Sequence, residues 1–153
     1  MTNCRLILCE KTAHFAPAVR RELAGNSPRL VRTRIVETRS LPGCEAALAE
    51  SPESLLAIEV TAANLESVIG FLARLKGHYP RAVAVVLLTA ETQEAETLLA
   101  EAGAIAVFRS VLDAPALARL AQRKSAITSP TDLSLPEFVA DRLPWHAHAT
   151  HEP

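Results

Sequence analysis

Two uninterrupted apolar runs constrain this chain more than anything else in it. One lies within Ser54-Leu55-Leu56-Ala57-Ile58-Glu59-Val60-Thr61, the other is Ala82 to Leu88. Runs of this length, bounded by turn signals, have no wet face and read as strands buried on both sides. The second is the most hydrophobic segment of the chain and must be a central strand, ending at Thr89. In an open parallel sheet, ligands and chemistry collect at the carboxyl ends of the strands. Glu59 is therefore the first residue to ask about.

The segments around these runs alternate in period. Arg5 to Cys9 reads as a first strand, ending in Glu10-Lys11. Phe15, Val19 and Leu23 recur at spacing four, which predicts an amphipathic helix closed by Gly25-Asn26-Ser27-Pro28. Leu30 to Val36 mixes β-branched residues with arginines and reads as an edge strand. Leu41-Pro42-Gly43 reads as a turn before a short helix, Cys44 to Glu50. Leu65, Val68, Ile69, Leu72 and Leu75 give the best helical pattern, and Ala95, Leu98, Leu99 and Ala102 give another, with Gly103 as its cap. Ala104 to Phe108 is a fifth strand, and Asp113 and Pro115 open a last helix through Leu117 and Leu120. This β-α alternation with short connections calls for a parallel sheet with helices on both faces. Right-handed crossovers and the edge-like second strand favour the α/β flavodoxin-like order 2-1-3-4-5.

Composition narrows the function. The formal net charge of −1 removes a general electrostatic case for nucleic acid or membrane binding. No apolar stretch approaches a membrane span, and the first residues lack the order of a signal peptide, so a cytoplasmic location is expected. Three cysteines, Cys4, Cys9 and Cys44, give neither a disulfide framework nor a metal spacing, and Cys9 and Cys44 read as buried free thiols. Residues 124–153 turn to Ser, Thr and Pro, so the domain is expected over 1–123, followed by a linker and tail. In the tail, Leu133, Leu135, Phe138, Val139, Leu143 and Trp145 form an apolar cluster with a short helix near 136–142. It reads as a segment docking on its own domain, with a partner-binding peptide as the sharper alternative. His146, His148 and His151 are weak metal candidates in an otherwise unstructured tract.

The strand ends bring a family into view. Arg5 to Glu10, Leu55 to Val60, Val85-Val86-Leu87-Leu88-Thr89-Ala90 and Ala102-Gly103-Ala104-Ile105-Ala106-Val107-Phe108 follow one another in order. With that spacing, about residues 3–123 resemble the receiver domain of bacterial response regulators, the CheY-like three-layer sandwich. The resemblance implies two acidic residues after the first strand that hold magnesium and an aspartate nucleophile ending the third. It also implies a Thr or Ser ending the fourth strand and a lysine ending the fifth. Carried onto this sequence, those positions are Glu10 and Lys11, Glu59, Thr89, and Ser110, with Arg109 one place from the lysine. The loop after the third strand, Thr61-Ala62-Ala63-Asn64, lacks the family's Pro and Gly.

The departures have chemical consequences. Lys11 removes an oxygen ligand and sets a positive charge beside a divalent site. Glu59 carries its oxygen about one methylene too far, and misplacement of about 1 Å can cost roughly a hundredfold in rate. Without the lysine, the transferring phosphoryl group loses a charge clamp. The resemblance thus implies a degenerate pseudo-receiver without a phosphoacceptor aspartate, a non-enzymatic interaction module needing no cofactor. Glu59 becomes a fixed charge paired with Lys11 or Arg109 and hydrogen-bonded by Thr89, or else a solvated carboxylate in a decayed pocket. Protein partners in signalling, or a second copy of the chain, would meet the face of the fourth helix, fifth strand and fifth helix. Val107, Arg109, Arg119 and Gln122 are the candidates there, with Phe138 and Trp145 in the tail. Two alternatives stay open: a small-ligand-binding or enzymatic flavodoxin-like domain, and a phosphorylatable single-domain regulator with an atypical acceptor. Against the first, no glycine-rich phosphate cradle or nucleophile elbow occurs, and His14 reads as a surface residue at a helix start.

Overall fold

The computed structural model describes residues 4–26 and 33–128. The tail residues Phe138, Trp145, His146, His148 and His151, and the short helix expected near 136–142, lie outside the described residues. The element order is β1 (Arg5–Cys9), α1 (Phe15–Asn26), β2 (Arg34–Thr38), α2 (Leu41–Glu50), β3 (Leu55–Val60) and α3 (Leu65–His78). It continues with β4 (Val83–Leu88), a 3-10 turn (Ala90–Ala95), α4 (Glu96–Ala102), β5 (Val107–Phe108), a second 3-10 turn (Val111–Asp113) and α5 (Ala114–Thr128).

The strands form one parallel five-stranded sheet in the order β2-β1-β3-β4-β5. Register follows from the period of two. Ile7, Cys9, Leu56, Ile58, Val60, Ala84, Val86 and Leu88 face α2, α3 and α4. Leu6, Leu8, Leu55, Ala57, Val85 and Leu87 face α1 and α5. Both faces of the central strands are therefore sealed, and the apolar runs have no solvent side.

Four boundaries differ from the sequence reading, each for a reason visible in its contacts. Among the described residues the second strand is Arg34–Thr38, ending two residues beyond the expected Val36, because it pairs residue for residue with β1, Arg5 opposite Arg34 through Cys9 opposite Thr38; Leu30 to Arg32 lie outside the described residues. The expected turn at Leu41-Pro42-Gly43 is instead the first turn of α2. Ser40 caps that helix, its Oγ accepting the Gly43 N–H at 3.2 Å, and proline is tolerated where the amide would have no helical partner. The fifth strand shortens to Val107–Phe108, although the Ile105 N–H and the Ala106 carbonyl still bond to β4 at 2.9 and 3.1 Å. Finally, α5 runs on through Lys124 to Thr128, past the expected domain edge at 123. Buried Ser125 shares a hydrogen bond with Thr33 (3.1 Å), and Lys124 Nζ donates to the Arg81 carbonyl (2.7 Å).

Gly103 closes α4 at φ +130°, a conformation that side-chain-bearing residues avoid. Its N–H and that of Ala104 both bond the Leu99 carbonyl, which turns the chain into β5. Gly77, near the end of α3, has a regular φ and nothing within 4 Å of an added Cβ. Replacing Gly103 by Ala is expected to cost about 1–3 kcal/mol. Gly77→Ala should be neutral or stabilising by up to about 1 kcal/mol. Urea unfolding of the two variants measures this opposition of sign.

Candidate functional site

The carboxyl ends of β1 and β3, with the chain leaving β2, border a cleft of about 240 Å³. Among its lining residues are Cys9, Lys11, Arg39, Leu41, Glu59 and Asn64. Three connecting loops meet there: β1–α1, β2–α2 and β3–α3.

Glu10 is only 4% exposed, and both its oxygens are engaged. Oε2 accepts the Phe15 N–H (3.1 Å) and Oε1 accepts the Ala16 N–H (2.9 Å). These are among the orphan amides of the first turn of α1, where a negative charge is also favoured by the helix dipole. Glu10 thus sits at the expected edge but is turned back onto its own helix. Lys11 follows it with an exposed side chain, and only its backbone meets the site. The Lys11 N–H donates to Glu59 Oε1 at 3.4 Å, and its carbonyl accepts from Arg39 Nη1 at 2.6 Å.

Glu59 is half-buried, and its alternation with Leu55 and Ala57 points it toward the α1 and α5 side. The expected ion pair does not form: no salt bridge joins Glu59 to Lys11 or Arg109 among the described residues. Arg109 instead pairs with Glu96 of α4. A partly solvated carboxylate needs no buried cation, so a backbone amide suffices. The loop after β3 is tied down by Asn64, whose Nδ2 donates to the Glu59 carbonyl (2.9 Å). Its Oδ1 accepts the Thr61 N–H (2.7 Å). These two side-chain-to-backbone bonds order a loop that has neither Pro nor Gly.

Thr89 and Ser110 are committed to local caps. The Thr89 hydroxyl donates to the Val60 carbonyl (3.3 Å), not to Glu59, and Thr92 does the same at 2.9 Å. Ser110 Oγ accepts the Leu112 N–H (3.2 Å) at the start of the second 3-10 turn. Asp113, expected to cap the last helix, closes that turn instead, accepting the Arg109 and Ser110 amides at 2.9 and 3.2 Å. The structure therefore brings Glu10, Lys11 and Glu59 together and leaves Thr89, Arg109 and Ser110 bonded elsewhere.

Arg39 and Asn64 were not among the residues that the sequence singled out for the site. Placing β2 two residues later would have put Arg39 at a strand's carboxyl end, and an Asn directly before an amphipathic helix is a capping signal. On the opposite edge, Val107 is half-buried in β5, Arg119 is exposed, and Gln122 is half-buried. Near them Ile105 (58% exposed) and Leu112 (87% exposed) stand in solvent.

No protein-family model and no curated protein matches this sequence. Solved structures do match it in shape. A response regulator from Thermotoga maritima superposes with a TM-score of 0.65 at 12% identity, covering 81% of this chain and 98% of its own. A CheY-like protein, TadZ, from Pseudomonas aeruginosa gives 0.61 at 18% identity, over 80% and 99%. An atypical orphan response regulator, described as having a phosphorylation-independent regulatory mechanism, gives 0.59 at 20%, over 78% and 95%. The fold is that of a CheY-like receiver domain. Within that fold, the cleft lies at the carboxyl edge of the sheet. Among the described residues no helix is long and apolar enough to cross a membrane.

The two acidic residues of this cleft differ in what depends on them. Glu10→Ala leaves two helix-end amides without their acceptor and is expected to cost about 1–2 kcal/mol of stability. Glu59→Ala should stay within about 0.5 kcal/mol, since its one bond is long and partly solvated. Chemical denaturation of both variants checks the contrast.

Proposed function

We propose that this chain is a pseudo-receiver: a signal-transduction module that works by protein contact and is not switched by phosphoryl transfer to its third strand. The observation that carries this reading is the spent state of the acidic site. Glu10 holds the α1 amides with both oxygens, Lys11 stands where a second carboxylate would be needed, and Glu59 leans onto a backbone N–H. A magnesium ion needs several hard oxygens in near-octahedral array, and the residues gathered here offer one partly free carboxylate beside a lysine. With Ser110 at the lysine position and bonded as a cap, the transferring group also lacks its cation. Cofactor-free contact chemistry follows from this, and no enzymatic step does.

The contact surface in this reading is the side formed by α4, β5 and α5. Two observations support it. β5 is a two-residue edge strand, and the large apolar side chains Leu98, Ile105, Val111 and Leu112 are exposed along that side. Val107, Arg109 and Arg119 border it, and the partner is a signalling protein or a second copy of the chain.

Incubation with acetyl phosphate and magnesium is expected to leave the intact mass unchanged. A stoichiometric, base-labile adduct on Glu59 would overturn the reading and favour an atypical phosphoacceptor. The surface is tested separately by Ile105→Glu combined with Leu112→Glu. Both side chains are already in water, so the thermal midpoint should hold. Partner capture, or self-association in sedimentation, should fall about tenfold or more, while Glu59→Ala leaves the apolar contact itself intact.

A further inference from the structure

The inner wall of the cleft holds a second chemical group that the acidic site does not use. Cys9 ends β1 and Cys44 lies in the first turns of α2, and both belong to one side-chain cluster. Cys9 lies opposite Thr38 in the register of β1 and β2. The Thr38 hydroxyl stands 3.1 Å from Cys44 Sγ. All three cysteines of the chain are free, and Cys4 lies at the far end of β1. Cys44 is fully enclosed, whereas Cys9 is 7% exposed and lines the cleft. Cys9 thus borders the cleft, and Cys44 is enclosed in the core cluster beside it.

We propose that Cys9 and Cys44 form an oxidation site for hydroperoxides, Cys9 being the attacking thiol and Cys44 the resolving one. The Cys9 thiolate attacks a peroxide oxygen and breaks the O–O bond. This gives Cys9 sulfenic acid and an alkoxide or hydroxide, which takes a proton from water. The Cys44 sulfur then attacks the sulfenic sulfur, the S–O bond breaks, and the hydroxyl leaves as water with the Cys44 proton. The dithiol loses two electrons and two protons, and the peroxide is reduced to an alcohol or water plus one further water. A small thiol reductant reverses the change by disulfide exchange.

The environment divides these roles. The hydrogen bond from Cys44, helped by the Thr38 hydroxyl, lowers the Cys9 pKa from 9.0 to about 7, against the opposing effects of burial and of the Glu59 and Glu10 charges. The Cys44 thiol is pushed up by the same hydrogen bond and by its own burial. Reactive thiols are those with thiolate character and access, and of the two Cys9 has the lowered pKa and the place on the cleft wall. Lys11 and Arg39, on the same cleft, stand nearby as cations. The new bond would staple β1 to α2, joining two walls of the cleft, whether or not the acidic site ever carries a phosphoryl group.

Treating the reduced full-length chain with hydrogen peroxide should lower its mass by 2 Da, and non-reducing peptide mapping should show Cys9 linked to Cys44. Before oxidation, iodoacetamide at neutral pH should label Cys9 about tenfold or more faster than Cys44. In Cys44→Ser, peroxide with dimedone should add one label at Cys9, while Cys4→Ser should oxidise as the native chain does. Thr38→Val keeps both thiols and should slow the labelling of Cys9 several-fold. The mapping on the native chain stands even if a cysteine variant fails to fold. An unchanged mass, a linked peptide containing Cys4, or Cys9 oxidised while Cys44 stays free each overturns the proposal.

Discussion

The structure depends on burying three adjacent strands, β1, β3 and β4, on both faces at once. Leu6, Ile7 and Leu8, Leu55 to Ile58, and Val85 to Leu87 are essentially without solvent contact. Each such aliphatic side chain contributes about 1.5–3 kcal/mol on leaving water, and no single face could seal them. Helices on both sides follow from that requirement, and so does a parallel sheet, since crossover helices are what cover it. The same constraint decides where polarity is allowed. Within these strands the sequence admits charge only near the ends, at Arg5, the first residue of β1, and at Glu59, one residue before the end of β3.

Where charge does collect, the chain settles it with backbone groups rather than with opposite charges. Glu10 is held by two amides of α1, Glu59 by the amide of Lys11, and Arg39 reaches the Lys11 carbonyl. The ion pairs that are present, such as Arg5–Glu50 and Arg20–Glu37, lie away from the cleft and involve exposed groups, where a pair contributes little. Amide and carbonyl partners are fixed by the fold, so they order the loops without long side chains having to be immobilised.

How much of this was legible in the sequence varies with the range of the interaction that decides it. The buried strands were legible because an apolar run is a statement about both faces at once, and the topology followed from the β-α alternation. The limits of β2 were not, because Arg34–Thr38 is selected by pairing with Arg5–Cys9 across the sheet, and Leu30 to Val36 has a similar local propensity. The start of α2 was hidden by Pro42 and Gly43, which signal a turn unless Ser40 is recognised as the cap before them. In the site, residue positions were readable and side-chain directions were not. The reach of Glu10 to Ala16, or of Arg109 to Glu96, depends on loop geometry and on the neighbouring helix.

Those directions bear on whether the site can switch. A two-state element needs alternatives separated by only a few kcal/mol, and a ligand shifts it only through differential affinity. Here three loops are tied together in one arrangement through Glu10, Lys11, Arg39, Glu59 and Asn64. Each bond contributes about 0.5–1.5 kcal/mol net. Rearranging the loops around a bound anion would break several of them, with Lys11 and Arg39 the cations lining the cleft. The Thr89 hydroxyl would also have to leave the Val60 carbonyl, which Thr92 already holds more closely. The extra methylene of Glu59 matters in the same way: it lets the carboxylate reach the β1–α1 loop and close the site on itself.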